Sequence, residues 1–179
     1  MDWKSRAITS SIEKIKRGVM SRDLNKAVPF LRWFGEALIF ACQEKLGLKV
    51  FIVDVDRDYK VQMAYYAQGR QPTEDVNVLR RHAGLPEITP QQNDKKITWT
   101  MNSKHVTNLD DGNPDNDLSR AIDIGLKDEN GRYCGNGNED INGDGQHDYE
   151  QIGKLAEEIG GGRIRWGGRF GDEPHMEVV

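Results

Sequence analysis

Residues 163–178 read R-I-R-W-G-G-R-F-G-D-E-P-H-M-E-V, and they set how the chain ends. A short strand over 163–166 is followed by a Gly-Gly turn, an acidic corner and a last strand over His175–Val178. Asp172 stands three positions before His175, with Pro174 between them. Proline disfavours a helical conformation at the residue before it, here Glu173, so acid and imidazole are not a helical pair. An extended or turning segment puts both at the mouth of one cleft, a possible metal ligand beside a possible proton acceptor. The plainer reading makes Asp-Glu-Pro a surface corner and His175 an ordinary strand residue. The chemical reading needs further ligands elsewhere in the chain.

Upstream, Tyr149–Ile159 places Ile152, Leu155, Ala156 and Ile159 on one helical face, and Gly160-Gly161-Gly162 stops it. Arg120–Ile124 alternates like a strand. Ile97–Thr100 reads as a short strand leading into Ser103-Lys104-His105. Thr73 is placed to cap a helix running through His82, which suits the cationic end of that helix. Another helix runs from Asp58 to Gly69, preceded by a strand over Lys49–Val55. The region 1–48 reads as N-terminal helices: Ile8, Ile12, Ile15 and Val19 at helical spacing with Ser10 or Ser11 as cap, then Pro29–Leu46 ended by Gly47. Trp33 and Phe34 are expected in the core. Residues 125–148 form a Gly/Asn/Asp loop too long for a mere connection.

A chain of 179 residues supports one domain, 1–179, with a real core. Charged residues make up 30% and apolar ones 36%, as expected of an α+β protein with polar loops. Net charge is −4, which argues against a nucleic-acid binder, whose footprint is basic. No run of about eighteen apolar residues suggests a membrane span, and the first residues lack the apolar core of a signal peptide. Cys42 lies in an apolar helical run and reads as a buried thiol; Cys134 lies in the polar loop. Two such distant cysteines make neither a zinc knuckle nor a disulfide framework.

Three residues then converge. His105 follows a strand, Asp123 sits within a second and His175 begins a third. Two imidazoles and a carboxylate suit catalytic zinc, which takes three protein ligands and keeps a fourth position for water. That water becomes acidic near neutral pH, and Asp172 is placed to accept its proton. Taken singly, His105 is a loop polar residue and Asp123 a strand-end acid.

The motifs S-K-H (103–105), S-R-A-I-D-I (119–124) and W-G-G-R-F-G-D-E-P-H-M-E (166–177) resemble the zinc peptidase family of VanY-type D-Ala-D-Ala carboxypeptidases. R-D-Y-K-V-Q-M-A-Y-Y-A-Q-G-R (57–70) adds a fourth motif in the same order. Within that family the chain looks most like the phage L-alanyl-D-glutamate endopeptidases, or endolysins. The resemblance runs from about residue 50 to the C-terminus.

It implies a small antiparallel sheet flanked by helices, hedgehog/D-Ala-D-Ala peptidase-like, with zinc at the sheet face held by His105, Asp123 and His175. It implies Asp172 as general base and Arg57 as the group that binds a substrate carboxylate or polarises the scissile carbonyl. Ser103 would support the site and contact substrate, Trp166 would shape the cleft, and Gln62 and Tyr66 would position the helix bearing Arg57. The interval between His105 and Asp123 is longer than in many relatives, leaving Asp111, Asp115 and Asp117 as substitute ligands. Phe170 replaces a common tryptophan.

In the long loop, D-I-N-G-D-G-Q-H-D (140–148) follows the calcium-loop pattern: Asp140, Asn142 and Asp144 at positions 1, 3 and 5, Gly145 at 6, Gln146 at 7 and Asp148 at 9. Position 12 is Gln151 where a bidentate Glu belongs. The loop is a possible calcium site or a solvated acidic turn, and His147 is expected to be exposed and no zinc ligand.

The leading expectation is a monomeric zinc endopeptidase cutting the L-Ala–D-Glu bond of the peptidoglycan stem peptide. It would accumulate in the host cytoplasm and reach the wall once a holin opens the membrane. The competing expectations are a D-Ala-D-Ala carboxypeptidase or dipeptidase, and a non-catalytic calcium-dependent binding protein on the same fold.

Overall fold

In the computed structural model the described residues are 20–107, 117–135 and 138–179; the helix expected over 8–20 lies almost wholly outside them. The structure is α+β, with a small antiparallel sheet flanked by helices. The chain packs as two compact units, one centred on 57–117 and the other built from 22–56 and 118–179.

The larger unit holds a five-stranded sheet: β2 (Lys49–Asp54), β5 (Ala121–Lys127), β6 (Tyr133–Cys134), β7 (Ile164–Trp166) and β8 (His175–Val178). The order is β2-β5-β8-β7, with β6 also on β5. Alternation sends Ile122, Ile124, Leu126 and Met176 into the core. Against them pack α1 (Pro29–Ala41) and α5 (Asp148–Gly160), with Leu31, Phe34, Leu38 and Ile152 fully buried. Pro29 opens α1, where its missing N–H costs nothing. A wider turn over Cys42–Leu46 continues it to Gly47, whose φ of 68° closes the helix. Trp33 departs from expectation. It stands on the outer face, 52% exposed, with its ring 5.8 Å from that of Phe30.

The long loop is shorter than its sequence suggests, because β5 continues to Lys127 and pairs with β6. Trp166 is half-buried and wedged so closely that a Cβ on Gly153 or Gly168 would lie 2.2 or 2.1 Å from its ring.

In the other unit, α2 (Tyr59–Ala67) and α3 (Thr73–His82) pack around Val61, Ala64 and Ala83. Asp58 caps α2, accepting from the Lys60 amide. Thr73 is not the cap of α3: Pro72 holds that position and Thr73 is the first helical residue. A one-turn helix α4 (Pro90–Asn93) with a Thr89/Gln92 capping box occupies what reads as polar loop. Ile97–Thr100 forms no strand, because its threonine oxygens serve another partner, described below. The strands β3 (Asp56–Asp58) and β4 (Val106–Thr107) pair in parallel, and β1 (Met20–Ser21) lies beside β3. No helix among the described residues is long and apolar enough to cross a membrane.

Candidate metal centre

Antiparallel pairing of β5 with β8 sets Asp123 directly opposite His175. Their neighbours Ile122, Ile124 and Met176 face the core, so Asp123, His175 and Glu177 share the other face. Pairing of β8 with β7 adds Arg165 opposite Glu177. The result is a polar row across three strands. Asp123 Oδ1 lies 3.0 Å from His175 Nδ1, and Glu177 Oε2 lies 3.3 Å from His175 Nε2. Arg165 donates from Nε to Glu177 Oε1 at 2.8 Å, and its Nη2 donates to the same oxygen.

Burial pushes the His175 imidazole toward neutrality, but hydrogen bonding and charge from Asp123, then Glu177 and Asp172, outweigh it and hold its pKa above the ordinary value. Burial pushes Glu177 up, and the hydrogen bonds from Arg165 and His175 more than reverse this, leaving a carboxylate that ionises below its usual range. Neither Glu177 nor Arg165 figures in the sequence reading. The signal was there: H-x-E in a strand puts both side chains on one face.

Asp172 is exposed. Its amide donates to the Gly167 carbonyl at 2.9 Å, and its carbonyl accepts from the His175 amide at 3.1 Å. Trp166 Nε1 donates to the Glu173 carbonyl at 2.8 Å, so the expected cleft-shaping residue holds the turn between Asp172 and His175. Phe170 presents its ring edge-on to His175 at 6.0 Å.

On the smaller unit, the Arg57 amide donates to the His105 carbonyl at 2.9 Å, tying the two motif residues through their strands. Ser103 Oγ accepts from the His105 amide at 3.3 Å. Arg57 sits on β3 ahead of the helix, not on it. Gln62, fully buried, acts on it directly: Arg57 Nη1 donates to Gln62 Oε1 at 2.9 Å. Gln62 Nε2 in turn donates to Thr98 Oγ1 at 3.1 Å and to the Thr100 carbonyl at 2.6 Å, which is what takes 97–100 out of strand pairing. Tyr66 instead carries the Arg70 guanidinium, 4.0 Å from its ring centroid.

One ligand atom from each of His105, Asp123 and His175 lies within 4.8 Å of the others, and this group could hold a metal ion. Among the described residues it is the group of histidines, cysteines and acids that gathers so closely. Asp117 is exposed and outside it; Asp111 and Asp115 lie outside the described residues. The fit to a small cation is chemical as well as spatial. Zinc bonded at about 2.0–2.1 Å in a tetrahedron separates its ligand atoms by roughly 3.3 Å, close to the 3.0 Å between Asp123 Oδ1 and His175 Nδ1. Glu177 takes the remaining ring nitrogen, the carboxylate–histidine arrangement that fixes a metal-bound imidazole.

The acidic loop closes on itself. Asp140 accepts from the amides of Asp144 and Gly145 at 3.0 and 2.9 Å; Asn142 Oδ1 accepts from Asp144 at 3.1 Å. Asp144 accepts from the Gln146 amide at 2.9 Å, and the Gln146 side chain is exposed. Gly145 has a φ of 83°, the bend expected at position 6. Gln151 Nε2 spans both Asp144 oxygens at 2.9 and 2.7 Å. Asp148 is fully buried: Oδ2 accepts from the Ile141 amide at 2.7 Å, whereas Oδ1 has no partner. Burial holds its pKa above the ordinary value. His147 is exposed, as expected.

Neither protein-family models nor curated proteins give a match to the chain.

Proposed function

We propose that this chain is a zinc-dependent peptidase of the bacterial wall on a D-Ala-D-Ala peptidase-like fold. Its reaction is hydrolysis of the L-Ala–D-Glu bond of the peptidoglycan stem peptide, in phage-type lysis after the membrane has been permeabilised. One observation carries the reading. His105, Asp123 and His175, picked from three separate motifs, bring their ligand atoms together. A carboxylate that the motifs did not predict orients one of the imidazoles.

Bound at these three residues, zinc supplies Lewis acidity toward the scissile carbonyl and an acidified water. The chain's own groups supply the rest. Glu177, held by Arg165, accepts the Nε2 proton of His175 and leaves Nδ1 to the metal. Asp172, exposed and tethered through its backbone on both sides, takes a proton from the attacking water and returns it to the leaving amine. Arg57, braced by Gln62, offers guanidinium donors to a substrate carboxylate or the carbonyl oxygen.

The test is digestion of purified peptidoglycan by the zinc-loaded chain, with mass spectrometry of the muropeptides. New D-Glu amino termini and L-Ala carboxyl termini are expected, and Asp172→Ala should abolish them while retaining metal. Release of free D-Ala moves the reading to a carboxypeptidase. Full activity in Asp172→Ala removes the assigned base.

The acidic loop supports a second reading, a calcium site at Asp140, Asn142, Asp144, Gln146 and Asp148. The observation favouring it is the buried, unpartnered Asp148 Oδ1, an oxygen whose desolvation is unrepaid without a cation. Calorimetry with Ca²⁺ on the parent and on Asp144→Ala decides it; equal heats end the proposal.

A further inference from the structure

Within the smaller unit, an open hollow of about 530 Å³ lies among the segments carrying α2, α3 and α4, within the roughly 300–1,000 Å³ range of small-ligand sites. Its walls include Tyr65, Gln68, Arg80, Gln92, Lys95 and Ile97, and no acidic residue. Arg80 is only 7% exposed. Its Nε donates to the Pro86 carbonyl at 2.7 Å and Nη1 to Gln68 Oε1 at 3.3 Å. Both partners are neutral, and among the described residues neither Arg80 nor the exposed Lys95 makes an ion pair. A guanidinium stripped of water without a counter-charge is costly. Here the donors left over, chiefly Nη2, belong to a residue lining an open hollow.

We propose that this hollow binds the carboxylate of an acidic peptide. Arg80 takes the carboxylate with its fork of donors, and Lys95 adds charge at the rim. Tyr65 and Ile97 supply apolar surface for the aliphatic part of the residue, and the glutamine amides suit peptide groups. The same fork fits phosphate, but phosphate has no use for the apolar and amide lining. This site is independent of the metal group and of the peptidase reading.

The test uses the full-length ¹⁵N-labelled protein titrated with acetyl-glutamate-amide, acetyl-glutamine-amide and inorganic phosphate. None contains a bond the proposed peptidase would cut, so failure of either proposal is seen separately. Saturable shifts at the Arg80 Nε and the Gln68 and Gln92 side-chain amides are expected with the glutamate probe. Affinity should be about tenfold weaker for the glutamine isostere, the loss of one charge-assisted contact. Arg80→Gln should lose binding, and Lys95→Gln should weaken it severalfold. If Arg80→Gln fails to fold through loss of the Pro86 tie, Lys95→Gln and the isostere comparison decide alone. Equal shifts from the two peptides, tighter binding of phosphate, or unchanged binding in Lys95→Gln overturns the assignment.

Discussion

Glu177 is the residue whose role is sharpest in the structure and faintest in the motifs. It accepts from Arg165 on one side and meets His175 Nε2 on the other, so its removal frees the imidazole to turn without deleting a member of the group that could hold a metal ion. Glu177→Ala should lower zinc affinity by about 10–100-fold, with Glu177→Gln losing less; competition against a chromogenic chelator measures both. Cys42 makes the opposite case. Burial alone pushes its thiol up to about 12, so it should resist alkylation by iodoacetamide at pH 8 until denaturant is added, read by mass spectrometry. At this scale the three residues that could hold a metal ion were legible because few residue types do so and they sat in ordered motifs. Glu177 was passed over because an acid after a ligand looks like any strand polar residue until its neighbour on β7 is known. Arg57 belongs to a strand and not to the helix after it, a placement that was not legible because three residues of strand between the register shift at Ile52–Asp54 of β2 and the Asp58 helix cap leave no periodicity to read.

At the scale of elements, the helices whose ends carry strong signals were readable to within a few residues. Pro29 and Gly47 bracket α1 with its closing turn, and the glycines at 160–162 stop α5. Short pieces were not. The 97–100 stretch has strand composition, yet its oxygens serve the buried Gln62 amide, a demand no local pattern announces. Trp33 shows that helical phase can be misjudged by one position when aromatics are adjacent. The seam between α5 and the turn after β7 is tight enough to predict from. Gly153→Ala would place a methyl 2.2 Å from the Trp166 ring, and overpacking of this kind costs about 1–3 kcal/mol, measurable by urea unfolding.

The first turn of α5 gives a pH prediction. A negative charge there is favoured by the helix dipole, but Asp148 is fully buried and desolvation wins, raising its folded pKa. A carboxyl with a raised folded pKa binds more protons in the folded state, so its contribution to stability falls as pH rises through that pKa. In chelator, Asp148→Asn should therefore unfold roughly 2–4 °C higher than the parent at pH 7, and the gap should close toward pH 4. A gap that widens on acidification would reverse the assignment.

For the molecule as a whole, a metal ion held by the group that could bind one would couple binding to folding. A ligand that binds only the native state stabilises it by about 2.7 kcal/mol at a hundred times its dissociation constant. Zinc should raise the melting temperature of the chelator-treated protein by roughly 5–10 °C, and His105→Ala should lose most of that increment; scanning calorimetry checks both. The α+β class was legible from the alternation of strand and helix patterns. The two compact units are marked in the sequence at one crossing only: the passage from β2 to β3 takes a few residues with no glycine or proline, whereas the stretch before Leu118, N-L-D-D-G-N-P-D-N-D (108–117), is acidic and carries both.

The larger unit's two stretches come together where Asp54 pairs with Asp123, about 5 Å apart as antiparallel partners are. Its sheet and both covering helices are therefore encoded without residues 57–117, and a few glycines would suffice to splice Asp56 to Leu118. Such a miniature should fold by itself, with the Arg165–Glu177–His175–Asp123 row intact. Possessing two of three grips, it would hold a cation only loosely, turning the question of what His105 adds into a comparison between two purified proteins.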